Sequence, residues 1–215
     1  MDLFTLKIIG IITMFIDHWH FIIGGPEILN IIGRTAFPIF AFSLNEGYIH
    51  TRNLKKYLFR LLIFGIVIQS PVIIFKMPYS VNIFFTLFTG LLIIYLYHLE
   101  KVNILMKVVI ISFLCYITLK FEFDYGIYGI LTIVIFHFFR EDKIKLLLSF
   151  MLLNLINLKF PFIFELMKIQ IYSIFVLVPI CLYNGKRGKN MKYFFYFFYP
   201  LHFLLLQGIK IFIEK

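Results

Sequence analysis

Apolar runs follow one another along this chain with hardly a polar gap, and that pattern decides what it can fold into. Nine runs can be marked, at residues 3–24, 28–49, 58–76, 81–99, 102–119, 124–139, 143–159, 162–183 and 191–213. They are long and continuously apolar, without the strict alternation of barrel strands, so helices are favoured over a β-barrel. A helix needs about 20 such residues to cross a bilayer. The sixth and seventh runs are shorter and suit tilted, re-entrant or irregular segments. Hydrophobic residues make up 61% of the 215 and charged residues 15%, with a mean hydropathy of +0.93. Soluble domains run near 45–50% and about 25%, and one core of this size cannot hide the excess. A soluble enzyme, a disordered chain and a disulfide scaffold are therefore excluded. The expected fold is all-α: one polytopic transmembrane helical bundle over residues 1–215, with about nine spans and a range of roughly eight to ten.

The net charge is +10, but its placement argues against nucleic acid as a partner. The basic residues sit in short clusters between apolar runs, as loop charges of a membrane protein do. Arg52, Lys55, Lys56 and Arg60 mark the second connection, Lys101 and Lys107 the fourth, and Arg140, Lys143 and Lys145 the sixth. Lys186, Arg187, Lys189 and Lys192 mark the eighth. With Lys7 they give 14 basic residues on one side against 6 on the other, Arg34 being set aside as intramembrane. The positive-inside rule then expects a cytoplasmic N-terminus and, for nine spans, an outer C-terminus. The first run lacks a small-residue cleavage site and carries Asp17 and His18, so a retained span is expected rather than a cleaved signal. Cys115 and Cys181 lie inside apolar runs, without metal spacing.

Ionisable groups within spans are costly and mark functional sites by default. Most of them fall in the first 90 residues. Asp17-His18-Trp19-His20 lies toward the outer half of the first run. A buried His near a carboxylate can serve as a general base at neutral pH. The alternative is an interfacial cluster, with Trp19 and His20 in the headgroup belt. No metal is expected, since His18 and His20 point to different helix faces and no third ligand is evident. Arg34 precedes Pro38 early in the second run. Pro38 frees a carbonyl about one turn earlier. Arg34 suits either an ion pair with Asp17 or the binding of a substrate anion.

His50-Thr51-Arg52-Asn53-Leu54-Lys55-Lys56 and Arg60 follow at the basic connection. Thr51 or Asn53 can cap the next helix, and a capped start beside Arg52 and Lys55 suits a phosphate. Topological charge alone is the other explanation. Asn82, Thr86 and Gly90 recur at every fourth residue, the spacing of one helix face built for close packing or for ligand contact. Asp124, Gly126 and Gly129 open the sixth run in a similar way. Tyr199-Pro200-Leu201-His202 lies inside the last run, where a kink at Pro200 would aim Tyr199 and His202 inward. No Gly-x-Ser-x-Gly elbow, His-Glu-x-x-His, P-loop or dinucleotide fingerprint occurs.

Taken together these residues resemble the TraX family. The matching stretches are Leu6-Lys7, Met14, Asp17-His18, Gly33-Arg34, Ala36-Phe37-Pro38-Ile39-Phe40, Glu46-Gly47 and His50-Thr51-Arg52-Asn53. They continue through Lys56-Tyr57, Arg60-Leu61, Gln69, Pro71, Asn82, Thr86 and Gly90. Asp124, Gly126, Gly129 and Tyr199-Pro200-Leu201-His202 complete them. The resemblance covers nearly the whole chain and is thinnest between residues 130 and 190. Its type member acetylates the N-terminus of F pilin, and the family is similar to a wider group of transmembrane acyltransferases. The resemblance implies transfer from cytosolic acetyl-CoA, a co-substrate and not a bound cofactor, to an amine or hydroxyl of an envelope protein or glycan. It makes His18 the leading catalytic base and Asp17 its partner or orienter. Arg34, His50, Arg52, Lys56, Arg60, Asn82, Asp124, Tyr199 and His202 become candidate contacts for CoA or substrate. A bacterial cytoplasmic membrane is the implied location.

Two rivals to the acyltransferase follow from the same residues. A transporter or flippase would line a path with Asp17, Arg34 and His202. A non-catalytic envelope assembly protein would need its packing glycines more than its ionisable groups.

Overall fold

The computed structural model describes residues 1–74, 80–160 and 168–214. Among these residues the chain is helical, without a strand; an isolated parallel bridge joins Val81 and Phe123. The helices are α1 (Leu3–Ile22), α2 (Glu27–Gly33), α3 (Ala36–His50), α4 (Leu54–Ile74) and α5 (Ile83–Tyr97). They continue as α6 (Ile104–Lys120), α7 (Gly126–Phe138) and α8 (Lys143–Lys159). A 3-10 helix (Lys168–Val176) then runs into α9 (Leu177–Cys181), and α10 (Lys192–Ile213) ends the chain.

The apolar runs thus reappear as helices where the sequence places them, with differences that have local causes. The second run is not one helix. It breaks at Arg34-Thr35, where the Thr35 amide bonds Ile32 O at 3.3 Å, three residues back. Pro38 consequently sits in the first turn of α3, where a missing N–H costs nothing. α4 starts at Leu54, four residues ahead of the expected 58, because Asn53 caps it: the Lys56 amide donates to Asn53 Oδ1 at 2.9 Å. α10 runs on through Pro200 as one helix. The start of the eighth run lies outside the described residues.

Length separates the helices. α1, α2 with α3, α4 and α10 are long and apolar enough to cross a membrane. α5, α7 and the Lys168–Cys181 segment are apolar but shorter. At about 1.5 Å per residue, the 13 residues of α7 extend about 20 Å, short of a hydrocarbon core of about 30 Å.

The surface is far more apolar than that of a soluble protein, and the interior mixes apolar with polar groups. Phe212 is 82% exposed and Ile104 76%, whereas Glu46, Thr86, Asn154 and Asn157 are fully buried. An apolar exterior, with the buried polar groups kept inside, is what a lipid solvent demands.

The chain divides into two compact units, Met1–Ser43 with Met167–Lys215, and Leu44–Leu166. In the first, α1 packs against α2 and α10, and the 3-10 helix against α2 and α9. In the second, α5 packs on α4, α6 and α7, and α7 on α6 and α8. Gly90 of α5 lies so close to Ile133 of α7 that a Cβ there would fall 2.6 Å from Ile133 Cδ1.

Candidate functional site

Asp17 and His18 are adjacent on α1, and successive residues on a helix point about 100° apart. They therefore face different helices. Asp17 meets the end of α2, where Arg34 is the C-cap residue and its Nη2 donates to both carboxylate oxygens. The two side chains keep only 19% and 13% of their exposure. Gly33 makes this possible, since a Cβ at residue 33 would overlap the Asp17 side chain.

His18 faces α10. Its Nδ1 lies 2.5 Å from His202 Nε2, across 184 residues of chain. The proton positions follow from the next link. His202 Nδ1 is 2.7 Å from the Phe198 carbonyl oxygen, which can only accept, so Nδ1 carries the proton. In the neutral ring, His202 Nε2 is then the acceptor and His18 Nδ1–H the donor. Neutral His18 is left with its lone pair on Nε2. His202 is buried, and the Phe198 ring stacks on it at 4.9 Å. Phe203 and Tyr199 set their edges against His18 at 5.6 and 6.3 Å.

The resemblance offered Asp17 as the partner or orienter of His18; in the structure Asp17 bonds Arg34 and His18 bonds His202. The 100° offset between neighbours sends the two side chains to different helices. Of the candidate residues, Asp17, His18, Arg34, Tyr199 and His202 come together in this unit. His20 is half-buried, and its Nδ1 has no hydrogen-bond partner among the described residues.

The remaining candidates belong to the other unit. Asn82 caps α5 through the Phe84 amide, and its side-chain amide donates to Gly65 O at 2.9 Å and Gln69 Oε1 at 2.8 Å. Thr86 Oγ1 donates to the Asp124 carbonyl at 2.5 Å, and the Asp124 amide donates to Val81 O at 2.8 Å. These bonds tie α4, α5 and the turn before α7 together. His50 is exposed, with Nδ1 2.8 Å from Glu46 O. Arg52 and Lys56 are exposed, and the Arg60 guanidinium lies 5.5 Å over the Tyr57 ring.

Two pairings in this unit were not expected. Glu46, fully buried, forms an ion pair with Arg140. His98 Nε2 lies 2.9 Å from His137 Nε2, with the Tyr48 ring edge-on to His137 at 5.2 Å. Their only signal in the sequence was that all five residues fall at the ends of runs meeting basic connections.

Spanning-length helices that hold an ion pair and a hydrogen-bonded pair of histidines between them define a polytopic helical membrane protein with a polar site among its helices. The chain matches the TraX protein family over residues 2–210 and belongs to that family. It is 32% identical to a probable fimbrial assembly protein, FimC of serogroup H1, from Dichelobacter nodosus, across 98% of this chain and 96% of that protein. No solved structure matches.

Proposed function

We propose that this protein is a membrane-embedded acyltransferase that moves an acetyl group from cytosolic acetyl-CoA to an amine or hydroxyl of an envelope protein or glycan. Pilin N-acetylation is the member of that class suggested by the family, and the fimbrial assembly relative lies in the same area of biology. The protein resides in the bacterial cytoplasmic membrane, N-terminus inward. One observation carries the chemistry: His202 fixes the His18 tautomer so that the Nε2 lone pair is available as a base.

In the proposed step the acceptor nitrogen or oxygen attacks the thioester carbonyl while His18 Nε2 takes its proton. The new C–N or C–O bond forms, the C–S bond breaks, and the CoA thiolate leaves with the proton returned by His18. Arg34, paired with Asp17 beside this turn of α1, serves in this reading as a fixed hydrogen-bond donor to the developing oxyanion. General-base help of this kind is worth about 10²–10⁴-fold. The test is thiol release from acetyl-CoA by purified protein given pilin-like peptides and sugars as acceptors. His18→Ala is expected to lower the rate by that factor while the protein stays folded. A folded His18→Ala protein with full activity sinks the assignment.

A further inference from the structure

A cluster of cations at the N-terminal end of α1 has no use in the site described above. Lys7 is half-buried in the second turn of α1, its ammonium 5.3 Å over the Phe195 ring. The nearby charge that bears on it is another cation, Arg187. No carboxylate pairs with either among the described residues. Arg187 belongs to the exposed loop Asn184-Gly185-Lys186-Arg187-Gly188-Lys189.

That loop is fixed to the N-terminus of the chain. The Met1 ammonium donates to Leu182 O, the Asn184 amide to Met1 O and the Leu3 amide to Lys186 O, each at 2.9 Å. Gly185 and Gly188 take left-handed φ values of 77° and 65°, which turn the loop tightly over the start of α1. Gly188 lies against Asp2, the acid at this end. Asp2 is already engaged: the Thr5 amide and hydroxyl each donate to its Oδ1 at 2.8 Å and hold the carboxyl below its ordinary range. Against the one Asp2 carboxylate stand Lys186, Arg187 and Lys189 of the loop, the Met1 ammonium and Lys7, so this end carries a net positive charge.

Helical geometry connects this end to His18. Lys7 and His18 are eleven residues apart, about 16 Å along the axis and within about 20° of the same face. The partner helix repeats the register. Phe194, Phe198 and His202 recur at every fourth residue of α10, with ring contacts of 6.1 Å and then 4.9 Å. Phe195 meets Phe4 at 6.2 Å as well as Lys7. An aromatic edge thus leads along the α1–α10 seam from the cationic loop to the His18–His202 pair.

We propose that Lys7, Arg187 and the loop around them seat the phosphates of the acyl-CoA donor, with its pantetheine arm lying along the α1–α10 seam toward His18. The chemistry is that of phosphate recognition by cations and turned backbone amides. This assignment rests on the acyl-CoA reading above. A lipid headgroup offers the same phosphate chemistry, so the test separates the two sources.

Full-length protein in phosphatidylcholine nanodiscs is titrated with coenzyme A and, separately, with pantetheine, which lacks the phosphates. Lys7→Gln and Arg187→Gln are each expected to weaken coenzyme A binding about tenfold or more. They raise KM for acetyl-CoA, leave kcat at saturation unchanged and leave pantetheine binding as in the wild type. Lys7→Arg restores the affinity. Arg187 is exposed, so its variant keeps the inference testable where the Lys7 variant fails to fold. Wild-type binding with no loss in either variant overturns the seat and leaves the acyltransferase reading standing. Loss of phosphatidylglycerol retention in mixed nanodiscs, with coenzyme A binding intact, assigns the cations to lipid and also overturns it. A wild-type protein that binds no coenzyme A overturns both.

Discussion

His18 carries the proposed base through a partner 184 residues away. Because His202 gives its own Nδ1 proton to the Phe198 carbonyl, it can only accept from His18. Removing that acceptor frees the His18 ring to turn and to exchange tautomers. His202→Phe keeps the stack on Phe198 but lacks the nitrogen, and kcat is expected to fall at least about 10²-fold, the lower end of a general-base contribution. His202→Gln, whose carboxamide oxygen accepts, is expected to recover part of the rate and the wild-type pH–rate profile. Equal rates in the Phe and Gln variants would assign His202 to packing alone. Both histidines were visible in the sequence as polar residues within apolar runs. Their pairing was not, since nothing in linear spacing links the first run to the last.

At the scale of elements, the site depends on how closely α1 and α2 approach. The helix break at Arg34-Thr35 makes Arg34 the C-cap of a short helix, and Gly33 lets Asp17 fit against it. Gly33→Ala puts a Cβ into the Asp17 side chain and is expected to cost about 1–3 kcal/mol as overpacking, read as a lower Tm in detergent. Gly208, in α10, meets nothing within 4 Å among the described residues. Gly208→Ala is expected to hold or raise Tm, because alanine is the better helix former. Equal losses in the two variants would refute a special packing role for Gly33. The element boundaries were largely legible. Asn53, Asn103 and Asp142 cap α4, α6 and α8 through local bonds that a sequence encodes directly. The break in the second run was missed because its physical cause is tertiary. A continuous helix there is locally acceptable, with Pro38 as a kink, and only the fit of Asp17 against Gly33 and Arg34 distinguishes the broken form.

For the molecule as a whole, the basic connections predict one crowded face. Charge alone assigned Lys7 and the eighth connection to a common side, and backbone bonds join Met1 and Leu3 to Leu182–Lys186. A cytoplasmic location for both is tested with single cysteines at residues 2 and 187, after replacing Cys115 and Cys181 by serine. A membrane-impermeant maleimide is expected to label both in inverted vesicles and neither in intact spheroplasts. Labelling of the two from opposite faces would overturn the topology.

The sequence by itself determined the solvent, since an apolar fraction this large can be satisfied only in lipid. It also determined where helices form, because backbone polar groups in hydrocarbon must pair locally. It marked the costly residues as well: Asp17, His18, Arg34 and His202 stand out wherever the surroundings are Ile, Leu and Phe. Only the tertiary structure decided which partner each of these residues meets. Asp17 and His18 are neighbours in the chain, yet a 100° step about α1 turns one toward Arg34 and the other toward His202. Hydrogen bonds and ion pairs act over a few ångströms, and which groups come within that reach is set by how the helices pack.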